Sequence, residues 1–175
     1  MKTVLAALAF LSTAVVSPLV GQGDDQSARK TLAGLKRVVV ATEIVDNNNE
    51  TQRDGLLPGQ LQTDIELKLR LAGITVGNAE RARINEEEAG LQVHLLALKD
   101  TSGVYAIALS LEIYQGVRLY RNPSIIESAR TWSARAEVGT VGSQNLASFV
   151  REGLRDMTDQ FINAYLAANP KRSGG

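Results

Sequence analysis

His94 is the one imidazole among 175 residues, and no Cys is present. A Ser-His-acid constellation or a multi-histidine metal site would have to be built around this single side chain. Thiol catalysis, zinc-thiolate sites, iron-sulfur clusters and disulfides are excluded outright. His94 lies between Val93 and Leu95 in an alternating segment, beside Gln92. A general base needs a positioned nucleophile and an orienting partner, and the spacing supplies neither. His94 therefore reads as a partly exposed strand residue on the wetter face of a sheet.

The remaining polar groups fail similar tests. Asp46-Asn47-Asn48-Asn49-Glu50 resembles the start of a calcium loop, but Thr51 stands where that loop requires Gly and Leu57 where it requires a bidentate Glu. A turn is the better reading. Glu86-Glu87-Glu88 is a solvated charge run rather than a fixed cation site. Gly139-Thr140-Val141-Gly142-Ser143 precedes a helix yet lacks the phosphate-loop Lys and the dinucleotide spacing. Arg118, Arg121, Arg130 and Arg135 are interspersed with Glu112, Glu127 and Glu137, which points to cross-strand ion pairing instead of a basic stripe. Trp132 shares a face with Ala134 and Ala136 and reads as core. These readings assign no catalytic residue, no metal ligand and no cofactor.

The elements that position these side chains begin after an address. Met1-Lys2 followed by the uncharged run Thr3 to Val16 has the form of a signal peptide, too short to span a bilayer before Ser17-Pro18 breaks it. We expect a signal peptide over 1–23, cleaved after Gly21 or Gly23. No Cys is available for lipid attachment at the cleavage point, so a soluble exported, periplasmic product without an integral membrane span is expected. Lys2 is the only charge in 1–23, so the 19 basic and 19 acidic residues of the whole chain leave the remainder at −1. Such a balance gives no support to nucleic acid as a partner.

Residues 24–35 are polar and small and read as a flexible leader. A single α+β domain is expected over 36–169, with a disordered tail over 170–175. Lys36 to Val45 is rich in β-branched residues and reads as a strand. Leu57, Leu61, Ile65 and Leu69 recur every fourth residue, with Leu67 and Leu71 widening the face, which predicts a helix over 58–72 that Pro58 opens and Gly73 closes. Ile74 to Val76 reads as a short strand and Glu80 to Ala89 as a solvated connector. An antiparallel meander follows: Leu91 to Leu98, a turn at Asp100 to Gly103, Val104 to Tyr120, a turn at Asn122 to Ser124, then Glu127 to Val138. A terminal helix over 144–168 carries Leu146, Val150, Leu154, Met157, Phe161 and Tyr165 on one face, with Ser143 as N-cap candidate, and Gly153 weakens it by about 1 kcal/mol relative to Ala. The order βαβββα predicts a two-layer α+β fold, a mainly antiparallel sheet with two amphipathic helices on one face.

In its exported start, a first strand ending near Val45, a helix leading into Ala72-Gly73-Ile74-Thr75-Val76, a long meander and a closing helix, the chain resembles the small α+β domains of the Gram-negative envelope. These include the auxiliary lipoprotein of some ABC transporters, the amino-terminal domain of the Tol-system propeller protein and the curli-secretion lipoprotein class. The resemblance covers residues 36 to 168 and is one of element order. It implies assembly or transport work through protein contacts without catalysis. The lipoproteins' acylated Cys is absent here.

The strand over 104–120 places the expected recognition surface. Tyr105, Ile107, Leu109, Leu111 and Ile113 share the face that the helices should bury, with Val117 and Leu119. The opposite face offers Ala106, Ala108 and Ser110 as a smooth strip bounded by Tyr114 and Tyr120. The expected function is that of an exported accessory or adaptor protein binding an envelope protein or a second copy of itself. The alternative is a small-ligand carrier with a pocket between sheet and helices.

Overall fold

The computed structural model describes residues 24–78 and 88–170. The expected signal peptide, most of the charged connector and the final five residues of the tail lie outside the described residues. In chain order the elements are α1 (Gln26–Lys30), β1 (Arg37–Asp46), α2 (Glu50–Arg53), α3 (Pro58–Leu71), β2 (Thr75–Val76), β3 (Glu88–Lys99), β4 (Val104–Leu119), β5 (Asn122–Ser133), β6 (Glu137–Gly142) and α4 (Leu146–Ala168). The strands form one six-stranded sheet in the order β2-β1-β3-β4-β5, with β6 also paired to β4. β1 runs parallel to β2 and β3, and the remaining pairs are antiparallel. The protein has the α+β class expected from its sequence, with a mixed sheet and α3 and α4 packed on one face. No described helix is long and apolar enough to cross a membrane.

Alternation decides what the helices cover. On β3, Ala89, Leu91, Val93, Leu95 and Ala97 are buried; on β4, Tyr105, Ile107, Leu109, Leu111 and Ile113 are. These side chains meet Leu61, Ile65 and Leu69 of α3 and Val150, Leu154, Met157 and Phe161 of α4 in one core. Leu67 and Leu71 do not widen the face of α3: they are 56% and 80% exposed. Two residues beyond Ile65 is a rotation of about 200°, which turns Leu67 away from the sheet. Gly153 lets α4 ride close to the sheet. A Cβ at that position would lie 3.1 Å from Leu109 Cδ2 and 2.6 Å from Glu137 Oε2.

Four further expectations are corrected. The segment 24–35 is a docked cap and not a flexible leader: Leu32 is fully buried and Leu35 nearly so. Its polar groups find partners, which is what lets so polar a stretch stay in place. Trp132 Nε1 donates to Asp24 Oδ1 at 2.9 Å, and Asn169 accepts from the Gly34 amide and donates to the Leu32 carbonyl. Second, the chain turns at Tyr120 and Arg121, so that Asn122-Pro123-Ser124 already belongs to β5. Third, the strand expected over 127–138 is interrupted at 134–136. The break shifts the alternation by one residue, so Val138 is 82% exposed while Val141 faces the core. Fourth, Ser143 does not cap α4. It opens a single 3-10 turn, and its amide donates to the Gly103 carbonyl at 3.0 Å.

The Asn-rich segment after β1 closes one end of the sheet. Asn47 exchanges two hydrogen bonds with the backbone of Lys99, both 3.1 Å, extending the ladder by a side chain. Asp46 accepts from the amides of Asn49 and Thr51 and from the Thr51 hydroxyl, which starts α2. Asp54, just beyond α2, accepts from the buried Tyr105 hydroxyl at 2.6 Å and from Lys99 Nζ at 2.8 Å. These bonds hold its carboxyl below the usual range, while burial and the Asp54 charge push the Tyr105 phenol up.

Candidate functional site

No described helix packs on the face of the sheet opposite α3 and α4; Val39 and Glu112 on it are buried, while its centre is open among the described residues. The residues that alternate with the core set on β1, β3, β4 and β6 point there. Register places Val45 beside Leu96, Leu96 beside Ala108, and Ala108 beside Val138. The result is an apolar row crossing four adjacent strands, spanning roughly 14 Å at about 4.8 Å per strand. Val45, Leu96 and Val138 are 51%, 42% and 82% exposed. A neighbouring row adds Leu98, Ala106 and Thr140. On the other side a polar row runs Glu43, His94, Ser110. An apolar centre with a polar border is the composition of a protein-binding surface.

Of the five residues expected at a recognition surface, three come together here. Ala106 is exposed opposite Leu98, Ala108 is half-buried between Leu96 and Val138, and Ser110 faces His94. Tyr114 is on this face but folds back. A register shift against β5 separates it from Ile113, and its hydroxyl donates to Glu112 Oε2 at 2.9 Å. That bond to a carboxylate, with burial adding to it, pushes the Tyr114 phenol up. Tyr120 does not bound the strip. It occupies the two-residue turn of the β4-β5 hairpin, fully exposed, and six residues of extended chain put it about 20 Å from Tyr114. Val45, Leu96, Leu98 and Val138 were not anticipated. The alternation Leu91, Val93, Leu95 already implied that Leu96 and Leu98 face outward, whereas the placement of Val138 depends on the break at 134–136.

The polar border is built on side chains of four residues. His94 Nδ1 lies 3.1 Å from Glu43 Oε2, and its Nε2 is 4.0 Å from Glu112 Oε2. Glu112 is 8% exposed and accepts from Arg130 Nη1 at 2.8 Å as well as from Tyr114. The cross-strand pairing expected for the arginines is thus realised at Arg130 and Glu112. His94 sits on the wetter face, as its neighbours implied, with 34% of its side chain exposed. Ser110 is directly opposite, but no hydrogen bond joins the two side chains among the described residues. Nor do three metal-ligating side chains converge among them. A hollow opens to solvent between α3 and α4.

No protein-family model matches the chain, and no curated protein matches it. Among solved structures the chain is similar to a protein from Helicobacter pylori described as a neuraminyllactose-binding hemagglutinin homolog. The identity is 13%, the TM-score 0.28, and the match covers 74% of this chain and 82% of that one. A likeness at that level carries no functional argument.

Proposed function

We propose that the protein is an exported accessory or adaptor of the bacterial cell envelope that acts by docking its open sheet face on a protein partner, without chemistry of its own. The observation that carries this reading is the apolar row Val45-Leu96-Ala108-Val138, open among the described residues on the face away from the helices. Small side chains at Ala106 and Ala108 permit close approach of another surface, and the Glu43-His94-Glu112-Arg130 frame provides a charged border. The envelope assignment is supported by the positive start and apolar run of residues 1–16 and by the element order.

Cross-linking in intact envelopes, followed by capture of wild type, Ala108→Arg and Val138→Arg, tests the reading. An unpaired guanidinium in the centre of an interface costs about 2 kcal/mol or more, or at least about 30-fold in affinity. Cross-linked species should be lost in both variants while melting is unchanged. Sedimentation of the purified chain separates a second copy from a different partner. Undiminished cross-linking in either variant would remove this face as the recognition surface.

A further inference from the structure

β4 and β5 continue as a pair past the rest of the sheet. β3 pairs with β4 only as far as Tyr114, whereas β5 follows β4 to Leu119. Residues 115–129 therefore form a two-stranded ribbon with both edges open among the described residues. Its apex at Tyr120 stands about 20 Å beyond Tyr114. A lone ribbon of this kind is marginal in stability and gains nothing from apolar side chains held in water. Yet Tyr120 is fully exposed, and Ile125 and Ile126 are 37% and 48% exposed.

The tip is apolar on both faces. Ile126 lies opposite Arg118, so the two share the open face of the sheet, while the half-buried Val117 and Leu119 alternate with Arg118 and point the other way. A flat protein surface covers one face of such a ribbon and leaves the other in water. A fluid layer that closes around the tip covers both. The charge is biased as well. From Gly116 to Ile126 the sequence carries Arg118 and Arg121 and no carboxylate, in a chain that is neutral as a whole. Extending the count to the base of the ribbon adds Glu112, Glu127 and Arg130, which leaves a surplus of one positive charge. Arg118 stays at the tip by donating to the Pro123 carbonyl at 3.2 Å, and Arg121 is exposed beside Tyr120. A phenol between two arginines, with aliphatic side chains around it, matches the headgroup layer of an anionic membrane. There the ring and the aliphatic groups leave water while the hydroxyl and the guanidinium heads keep it.

We propose that the tip of the β4-β5 hairpin is a peripheral docking site for an anionic phospholipid surface, with Leu119, Tyr120 and Ile126 in the headgroup layer and Arg118 and Arg121 on lipid phosphates. The open edges of the ribbon limit its depth, because unpaired backbone groups are satisfied among hydrated headgroups and not in hydrocarbon. The site is remote from the apolar row of the open face and does not depend on the adaptor reading.

Tryptophan emission reads the contact locally. The native Trp132 is 1% exposed and gives a constant background, so Tyr120→Trp in the full chain reports the tip. Titration with vesicles of phosphatidylglycerol and phosphatidylethanolamine at low salt should move its emission to shorter wavelength. The midpoint should weaken by at least about tenfold with phosphatidylcholine vesicles, which offer the two arginines no net negative surface, and by about fivefold when Arg121→Gln is added. Val104→Trp, at a position 38% exposed at the opposite end of β4, should show no shift. Absence of a shift in Tyr120→Trp with anionic vesicles would overturn the proposal and leave the tip to a protein partner. Equal shifts in the two tryptophan variants, equal midpoints for neutral and anionic vesicles, or an unchanged midpoint with Arg121→Gln would overturn it too.

Discussion

Leu109→Ala and Gly153→Ala, separately and together, test which face of the sheet α4 covers and therefore which face is open. Leu109 is 1% exposed, and its truncation should cost about 2 to 5 kcal/mol from lost transfer energy and the cavity left behind. Gly153 stands over it, with a Cβ position 3.1 Å from Leu109 Cδ2 and 2.6 Å from Glu137 Oε2. Alanine in place of glycine inside a helix stabilises by about 1 kcal/mol, while overpacking costs about 1 to 3 kcal/mol. Gly153→Ala alone should thus be neutral to destabilising. In the Leu109→Ala background the leucine contact is gone, only the flexible end of Glu137 has to move, and the new methyl occupies part of the cavity. There the same substitution should stabilise by about 1 kcal/mol. The two sites are then coupled by about 1 to 3 kcal/mol. Urea denaturation of the four proteins reads this from the midpoints, provided the slopes agree. Coupling below about 0.5 kcal/mol would refute the packing of α4 on β4 and, with it, the assignment of the opposite face as open.

Ala108→Arg should change stability by no more than about 0.5 kcal/mol, and His94→Ala should cost much less than Leu109→Ala; thermal melts in which either rivals Leu109→Ala would reverse the assigned faces. Leu32→Ala should cost about 2 to 5 kcal/mol, because Leu32 is fully buried; a wild-type denaturation midpoint would mean that the segment before β1 is not part of the core. Tyr105→Phe should cost about 1.5 to 3 kcal/mol near neutral pH, since it removes a hydrogen bond to a charged carboxylate. Asp54 is held low by Lys99 and Tyr105, so its contribution is present above about pH 4 and is lost as the pH falls through its lowered value. Asp54→Asn should therefore flatten the acid limb of the stability profile, and a limb as steep as wild type would place the acid sensitivity elsewhere.

Much of the fold was legible because its signals are local. The four-residue recurrence of Leu61, Ile65 and Leu69 marks α3, and the alternation through Tyr105 to Ile113 identifies the core face of β4 without reference to any other strand. The candidate face was legible to the same extent. Ala106, Ala108 and Ser110 follow from that alternation, whereas Tyr120 was misplaced because a shared parity says nothing about a strand that runs past the end of its neighbour.

The sequence by itself determined the absence of thiol chemistry, the single imidazole, the near-neutral charge, the two amphipathic helices and the inward and outward sets of β3 and β4. All of these depend on composition or on periods of 2 and 3.6 residues, which the backbone imposes locally. Only the tertiary structure decided that β1 lies parallel to β3, bringing Val45 beside Leu96 and Glu43 beside His94. It also decided that the break at 134–136 turns Val138 outward to complete the apolar row, and that Leu32 enters the core under bonds made by Asn169. Those outcomes depend on register and on contacts between residues as many as 137 apart. Such contacts are selected by the burial of the whole core, and no local window of the chain contains both partners.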